Sequence, residues 1–121
     1  MGDPVTTFEI AGQDVKALGD FYHGAFGWKL GTPQPAYTMA FPTENGPVAG
    51  VITKAQPGTT GHAMFYVEVS DLDAALVKIE GLGGKTVLPT TTVPDGPTIA
   101  MFADPEGHVV GLWKPRQPRT R

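Results

Sequence analysis

Glu9 is the residue of this chain whose type and position best suit proton-transfer chemistry. It alternates with Phe8 and Ile10 in the first apolar run, so it points away from them on a predicted strand. A carboxylate on the wall of a cavity can act as a base. The alternative is a structural role, in which Glu9 accepts hydrogen bonds at a cavity rim or pairs with a lysine.

Tyr66 and Met64 occupy a second strand of the same kind. The hydroxyl of Tyr66 can hydrogen-bond a ligand while its ring stacks on it, although an ordinary strand aromatic fits equally well. Met64 suits either a tolerant pocket or a core. The three histidines are scattered and assemble no Ser-His-Asp arrangement, and without cysteine there is no thiolate nucleophile and no sulfur metal site.

The elements that must position these residues occur twice along the chain. Residues 46–53 are matched by residues 107–114, and Asp14 with its amphipathic run is matched by Asp71 with another. Each half has about fifty residues, too few to bury a core alone. We therefore predict one domain over residues 1–121, made of module 4–54 and module 62–115, with a short basic tail over 116–121.

Hydrophobic periodicity predicts a β-α-β-β-β order in each module. Asp14 is the expected cap of the first helix and Ser70 or Asp71 that of the second, and Gly27 ends the first helix. The predicted strands span 5–11, 28–31, 37–41, 48–53, 62–69, 85–93, 98–103 and 109–114, and the helices span 15–25 and 72–81. This is an α+β fold, in which a curved mixed sheet carries two helices on one face and lines a cavity with the other. Thr7, Glu9, Met64, Tyr66, Gly111 and Trp113 are the expected ligand-binding residues on that face.

Charge and composition exclude several classes of function. All three arginines lie in residues 116–121, and the rest of the chain has six lysines against twelve acids. Nucleic acid is therefore not an expected partner, because binding to it depends on clustered cations. No apolar run approaches the ~18 residues of a membrane span, and no secretory signal is visible, so we expect a cytoplasmic protein with no membrane partner.

Two phrases of the sequence resemble the vicinal oxygen chelate superfamily of glyoxalase I, extradiol dioxygenases and bleomycin-resistance proteins. One is Phe8-Glu9-Ile10 with Asp14, Phe21-Tyr22 and Phe26-Gly27-Trp28, and the other is residues 104–113, which resemble the closing hairpin. The resemblance covers residues 5–114. It implies paired β-α-β-β-β modules whose strands surround a small-molecule cavity.

Metal-using members of that superfamily place ligands at four positions, which the resemblance assigns here to Thr7, Met64, Gly50 and Gly111. None of these residues is a strong ligand for zinc, iron or a harder cation. We therefore expect no metal and no cofactor. A displaced metal site formed by His62 and Glu9 remains an alternative that, on this reasoning, would need a strand to slip by two residues.

The resemblance and the charge together lead to three functional hypotheses. The first is a metal-free binding protein of the bleomycin-resistance kind for a small neutral or cationic organic molecule, for which a homodimer is a compatible assembly. The second is a metal-independent isomerase, cyclase or epimerase with Glu9 or Tyr66 as acid or base. The third and weakest is a metal-dependent lyase or dioxygenase.

Overall fold

The computed structural model describes residues 2 to 115 and shows an α+β chain. The basic tail predicted over 116–121 lies outside the described residues. The β-α-β-β-β order occurs twice, as predicted. The elements are β1 (Val5–Gly12), α1 (Val15–Phe26), β2 (Lys29–Leu30), β3 (Tyr37–Phe41), β4 (Ala49–Lys54), β5 (His62–Glu68), α2 (Leu72–Gly81), β6 (Lys85–Thr92), β7 (Thr98–Ala103) and β8 (Val109–Lys114).

Both helices begin at the aspartates expected to cap them. The side chain of Asp14 accepts a hydrogen bond from the Ala17 amide at 3.0 Å, and Asp71 accepts one from Ala74 at the same distance. Each bond satisfies an amide that has no partner inside the helix. Gly27 ends α1 with φ of 73°, a left-handed conformation that glycine adopts without a steric penalty.

The chain divides into two compact units. The first unit is Thr6–Phe65, and the second unit joins Met1–Val5 to Tyr66–Arg121. These units differ from the predicted modules, because β5 is divided between them and the start of the chain belongs to the second unit. The amide of Glu68 donates to the carbonyl of Pro4 at 2.8 Å, which ties that start to β5. The single-domain assignment stays a prediction.

In the first unit the strands lie in the order β2-β3-β4-β1. The β1–β4 pair is parallel and the other two pairs are antiparallel, so the sheet is mixed. Ile52 is fully buried, with Ala40 and Thr38 buried beside it. The register pairs Ile52 with Ile10 and with Thr38, so these residues share one face of the sheet.

In the second unit the order is β5-β8-β7-β6, again with one parallel pair and two antiparallel pairs. Its core joins α2 to the sheet, and the alternation predicted for β5 is confirmed because Val67 packs against this core. The buried core residues are Val69, Leu72, Leu76, Ala100 and Leu112. None of the helices within residues 2–115 is long and apolar enough to cross a membrane.

Candidate functional site

The face of β1 that carries Glu9 is turned away from α1. Phe8, next to Glu9, lies on the α1 side, where its ring is 5.2 Å from the ring of Trp28. Trp28 stacks in turn on Tyr22 of α1, with an interplanar angle of 11°. Because neighbouring strand residues point to opposite faces, Thr7 and Glu9 point away from the helix, as predicted.

Glu9 and His62 are in direct contact on this face. Nε2 of His62 lies 2.6 Å from Oε2 of Glu9, and both residues belong to the first unit. The Glu9 side chain is 14% exposed and the His62 side chain is 47% exposed. The prediction that these residues come together only through a slipped strand was wrong, because the two side chains meet in the register that the chain adopts.

Partly buried residues accompany the pair on the same face. Thr7 lies two residues before Glu9, and Met64 lies two residues after His62, so alternation places both on this side. The register adds two residues that the sequence analysis missed, since Val51 is opposite Glu9 and Met39 is opposite Val51. We call this surface the Glu9 face, and its members are Thr7, Glu9, Met39, Val51, His62 and Met64.

The second unit holds the other three predicted ligand-binding residues on one face of its own sheet. Tyr66 is opposite Gly111 and Glu68 is opposite Trp113, while the intervening Val67 and Leu112 belong to the α2 core. Tyr66 is only 4% exposed, and its ring lies so close over Gly111 that a Cβ added there would overlap it. The ring of Tyr66 therefore packs within this unit, and its proposed ligand contact would have to come from the hydroxyl group.

The four positions that the resemblance assigns to metal ligands do not fit a metal. At position 111 the Tyr66 ring fills the space that a ligand side chain would need. Thr7 and Met64 supply only weak donors. No cluster of three or more histidine, aspartate or glutamate side chains suited to a metal ion occurs within residues 2–115.

Gly50, the fourth of these positions, does not lie on the Glu9 face. Gly50 is paired with Phe8, whose ring covers it on the α1 side. Val51, and not Gly50, is the residue of β4 opposite Glu9. Gly50 and Gly111 occupy the same place in the repeated sequence, but they are paired differently. Gly111 is paired with Tyr66, which faces away from α2, while Gly50 is paired with Phe8, which faces α1. The sequence repeat and the strand pairing therefore differ by one residue.

The two other histidines have local structural partners. Nδ1 of His23 is 2.7 Å from the carbonyl oxygen of Trp28 at the end of α1. Nδ1 of His108 is 3.0 Å from Oδ2 of Asp104 in the turn before β8. The amide of His108 also donates to the Asp104 carboxylate, and this hydrogen bond is the main reason why the pKa of Asp104 is below its ordinary value.

A separate open depression of about 510 Å³ lies beside the start of α1 in the first unit. Its charged group, Asp14, already caps the helix. The remaining lining is largely apolar or neutral and offers no second titratable side chain. Its lining residues are Ile10, Ala11, Gly12, Gln13, Asp14, Ala17, Leu18, Phe21 and Thr60.

Comparison with known proteins identifies the family of this chain. Residues 5–112 match the family model for the Glyoxalase/Bleomycin resistance protein/Dioxygenase superfamily. A glyoxylase-like domain-containing protein of Didymella fabae is 32% identical over 112 residues, covering 86% of this chain and 88% of that protein. A putative glyoxylase of Mycobacterium bovis is 32% identical over 110 residues, but the match covers 84% of this chain and only 41% of that relative.

The fold is also shared with solved structures. Methylmalonyl-CoA epimerase from Mycobacterium tuberculosis has a TM-score of 0.69, covering 93% of this chain and 88% of that chain. The sequence identity is 17%, so this likeness concerns the fold.

Proposed function

Because the chain belongs to the Glyoxalase/Bleomycin resistance protein/Dioxygenase superfamily, we propose that it binds a small neutral or cationic organic molecule without a metal. The first unit contributes Thr7, Glu9 and Met64 through the Glu9 face. Tyr66, Gly111 and Trp113 stay proposed ligand contacts on the face of the second unit's own sheet. A cytoplasmic location and assembly as a homodimer are parts of the same proposal.

The observation that carries the proposal is the composition of the Glu9 face. It holds a carboxylate with 14% exposure and an imidazole in contact with it, among partly buried Met39, Val51 and Met64. Ligand sites commonly combine an apolar lining with a few polar groups that fix orientation. The helix α1 covers the opposite face, so this one is not used for packing against it.

The charge of the chain favours a neutral or cationic ligand. Outside residues 116–121 there are six lysines and twelve acidic residues, and there is no arginine. A guanidinium is the side chain best suited to hold a carboxylate or phosphate in two hydrogen bonds. Anions such as glutathione conjugates or fosfomycin are therefore expected to bind poorly, because the surrounding field repels them.

Calorimetric titration tests this proposal. Cationic glycopeptides of the bleomycin kind and neutral aromatic metabolites are titrated into the protein after dialysis against EDTA, with fosfomycin and a glutathione conjugate as the anionic set. We expect saturable binding in the first two groups only. Glu9→Gln removes the charge at nearly constant volume, and we expect it to weaken cationic ligands more than neutral ones.

A matched control separates the Glu9 face from general electrostatics. Glu44→Gln removes the same charge from an exposed position outside the strands, so it alters the net charge equally. We expect it to leave binding almost unchanged, because exposed and distant charges are screened by salt. Tight binding to anions alone would overturn the proposal, as would equal losses from the two variants.

The contact between Glu9 and His62 also supports a second candidate function. A carboxylate beside an imidazole is a pair that can accept and return a proton, which suits a metal-independent isomerase, cyclase or epimerase. Tyr66 remains an alternative acid or base in that reaction. Under this hypothesis Glu9→Gln abolishes turnover and leaves the melting temperature nearly unchanged, whereas a large loss of stability with activity retained would exclude Glu9 from the mechanism.

A further inference from the structure

We infer that the ligand is an organic amine whose ammonium group donates a hydrogen bond to Nδ1 of His62, while Glu9 positions the imidazole. This inference rests on the proposed function and narrows its ligand class. It assigns His62, which the sequence analysis considered only for a displaced metal site, as the residue that touches the ligand.

In the contact between Glu9 and His62, the shared hydrogen belongs to Nε2 of the imidazole. An ionised carboxylate can only accept hydrogen bonds, so Nε2 of His62 must be the donor across the 2.6 Å to Oε2. A neutral imidazole with its hydrogen on Nε2 has a lone pair on Nδ1. Within residues 2–115 the side chain of His62 makes this hydrogen bond and no other, so in the neutral imidazole Nδ1 is left as an acceptor.

The Glu9 and His62 side chains differ in their exposure to solvent. The carboxylate is the more buried group, with 14% exposure against 47% for the imidazole. A molecule that approaches this face from solvent therefore has better access to His62 than to Glu9. Glu9 accordingly acts through the imidazole, by fixing its tautomer and ring orientation.

The acceptor at Nδ1 and the negative charge around it determine the chemical class of the ligand. Nδ1 accepts, so the ligand must supply an N–H or O–H donor. The carboxylate of Glu9 and the excess of acids over lysines favour a positive charge on that donor. Hydrogen bonds with one ionised partner are also about twice as strong as neutral ones. The partly buried Met39, Val51 and Met64 suit an apolar body attached to the ammonium group.

The test uses three probes with the same apolar body. Phenethylamine has both the charge and the N–H donor, phenethyltrimethylammonium has the charge alone, and phenethyl alcohol has a neutral donor. Titration followed by NMR of the isotopically labelled protein gives each affinity and the signals that shift. We expect phenethylamine to bind about tenfold more tightly than either of the others, with shifts at His62.

Two variants separate the ligand contact from the positioning role. In His62→Gln the amide nitrogen can still donate to Glu9, but the remaining acceptor is Oε1 on Cδ and not an atom at the position of Nδ1, so we expect most of the tenfold preference for the amine to be lost. In Glu9→Gln the amide can accept or donate, so the imidazole tautomers should mix and the amine affinity should fall. His108→Gln makes the same change in an exposed turn, and it should alter neither the affinity for the amine nor the preference for it.

Nitrogen chemical shifts of the histidine ring provide a readout that a purely structural role would not move. In the wild type we expect a pyrrole-like Nε2 and a pyridine-like Nδ1 at His62, and a mixture in Glu9→Gln. A proton on Nδ1 in the wild type would overturn the inference, and so would a tenfold preference for the amine that is undiminished in His62→Gln. Equal binding of all three probes would refute this inference and leave the proposed function standing. If neither these probes nor the glycopeptides and aromatic metabolites of the calorimetric titration bind, the proposed function is refuted as well.

Discussion

Gly111→Ala should destabilise the protein because a methyl group at this position overlaps the ring of Tyr66. An added Cβ would lie 2.7 Å from Cγ of that ring and closer still to two other ring atoms. Tyr66 is 4% exposed, so the ring has no open space into which it can move. The backbone of Gly111 does not have a positive φ, so the expected effect is steric.

The magnitude follows from two opposing contributions. Forcing an extra carbon into a packed site costs about 1–3 kcal/mol. Replacing glycine by alanine restricts the unfolded chain and returns about 0.5–1 kcal/mol. The net loss lies between about 0 and 2.5 kcal/mol, and its midpoint of about 1.25 kcal/mol corresponds to a fall of about 5 °C in the melting temperature for a chain of this size.

Urea denaturation and calorimetry measure this change, with two comparisons built into the chain. Gly24→Ala lies on α1, where the added Cβ meets nothing within 4 Å apart from the neighbouring backbone of the helix itself, so it should stabilise the protein by about 0.5–1 kcal/mol. In a Tyr66→Ala background the ring is absent, and Gly111→Ala should be neutral or stabilising. An equal cost of Gly111→Ala with and without Tyr66 would refute the reasoning, because the overlap would not be its cause.

Three further predictions concern charge and capping. Glu9→Gln should weaken a cationic ligand by about tenfold while the free energy of unfolding changes by less than about 1 kcal/mol, as measured by calorimetric titration and by denaturation; an unchanged affinity would remove Glu9 from the site. The pKa of Asp104 is held below its ordinary value of 3.8, mainly by the His108 amide, so this carboxylate stabilises the fold above that pH and the contribution is lost as pH falls through the lowered pKa. In denaturation experiments, the stability of Asp104→Asn should therefore fall less steeply at acid pH than that of the wild type. The same fall in both proteins would show that Asp104 does not contribute to the loss of stability in acid. Asp71→Ala removes the cap of α2 and should cost about 1 kcal/mol, whereas Asp71→Asn should restore most of it if capping is the reason.

Most of the secondary structure could be predicted because its signals are local. The caps at Asp14 and Asp71 and the alternation in β1 and β5 depend on residues close in the sequence. Strands β3, β7 and β8 and helix α2 have the predicted bounds, and every other end agrees or differs by one residue. The predicted second strand, residues 28–31, shortens to Lys29–Leu30, although the Gly31 amide still donates to the Met39 carbonyl.

The site was harder to predict because it depends on register between distant strands. The repeated glycine pattern suggested that Gly50 and Gly111 are equivalent, but pairing places them under Phe8 and Tyr66, on different faces of their sheets. A shift of one residue changes the face of every side chain in a strand. The contact between Glu9 and His62 likewise joins residues 53 positions apart, which no local pattern encodes.

Calorimetric titration of EDTA-dialysed protein with phenethylamine and with bleomycin, repeated after addition of zinc, nickel, manganese or iron, tests the absence of a metal requirement most directly. We predict the same affinity with and without metal, because the positions where relatives hold ligands carry threonine, methionine and glycine or lie beneath an aromatic ring. Binding that occurs only in the metal-loaded protein, with one metal ion per chain, would contradict this account.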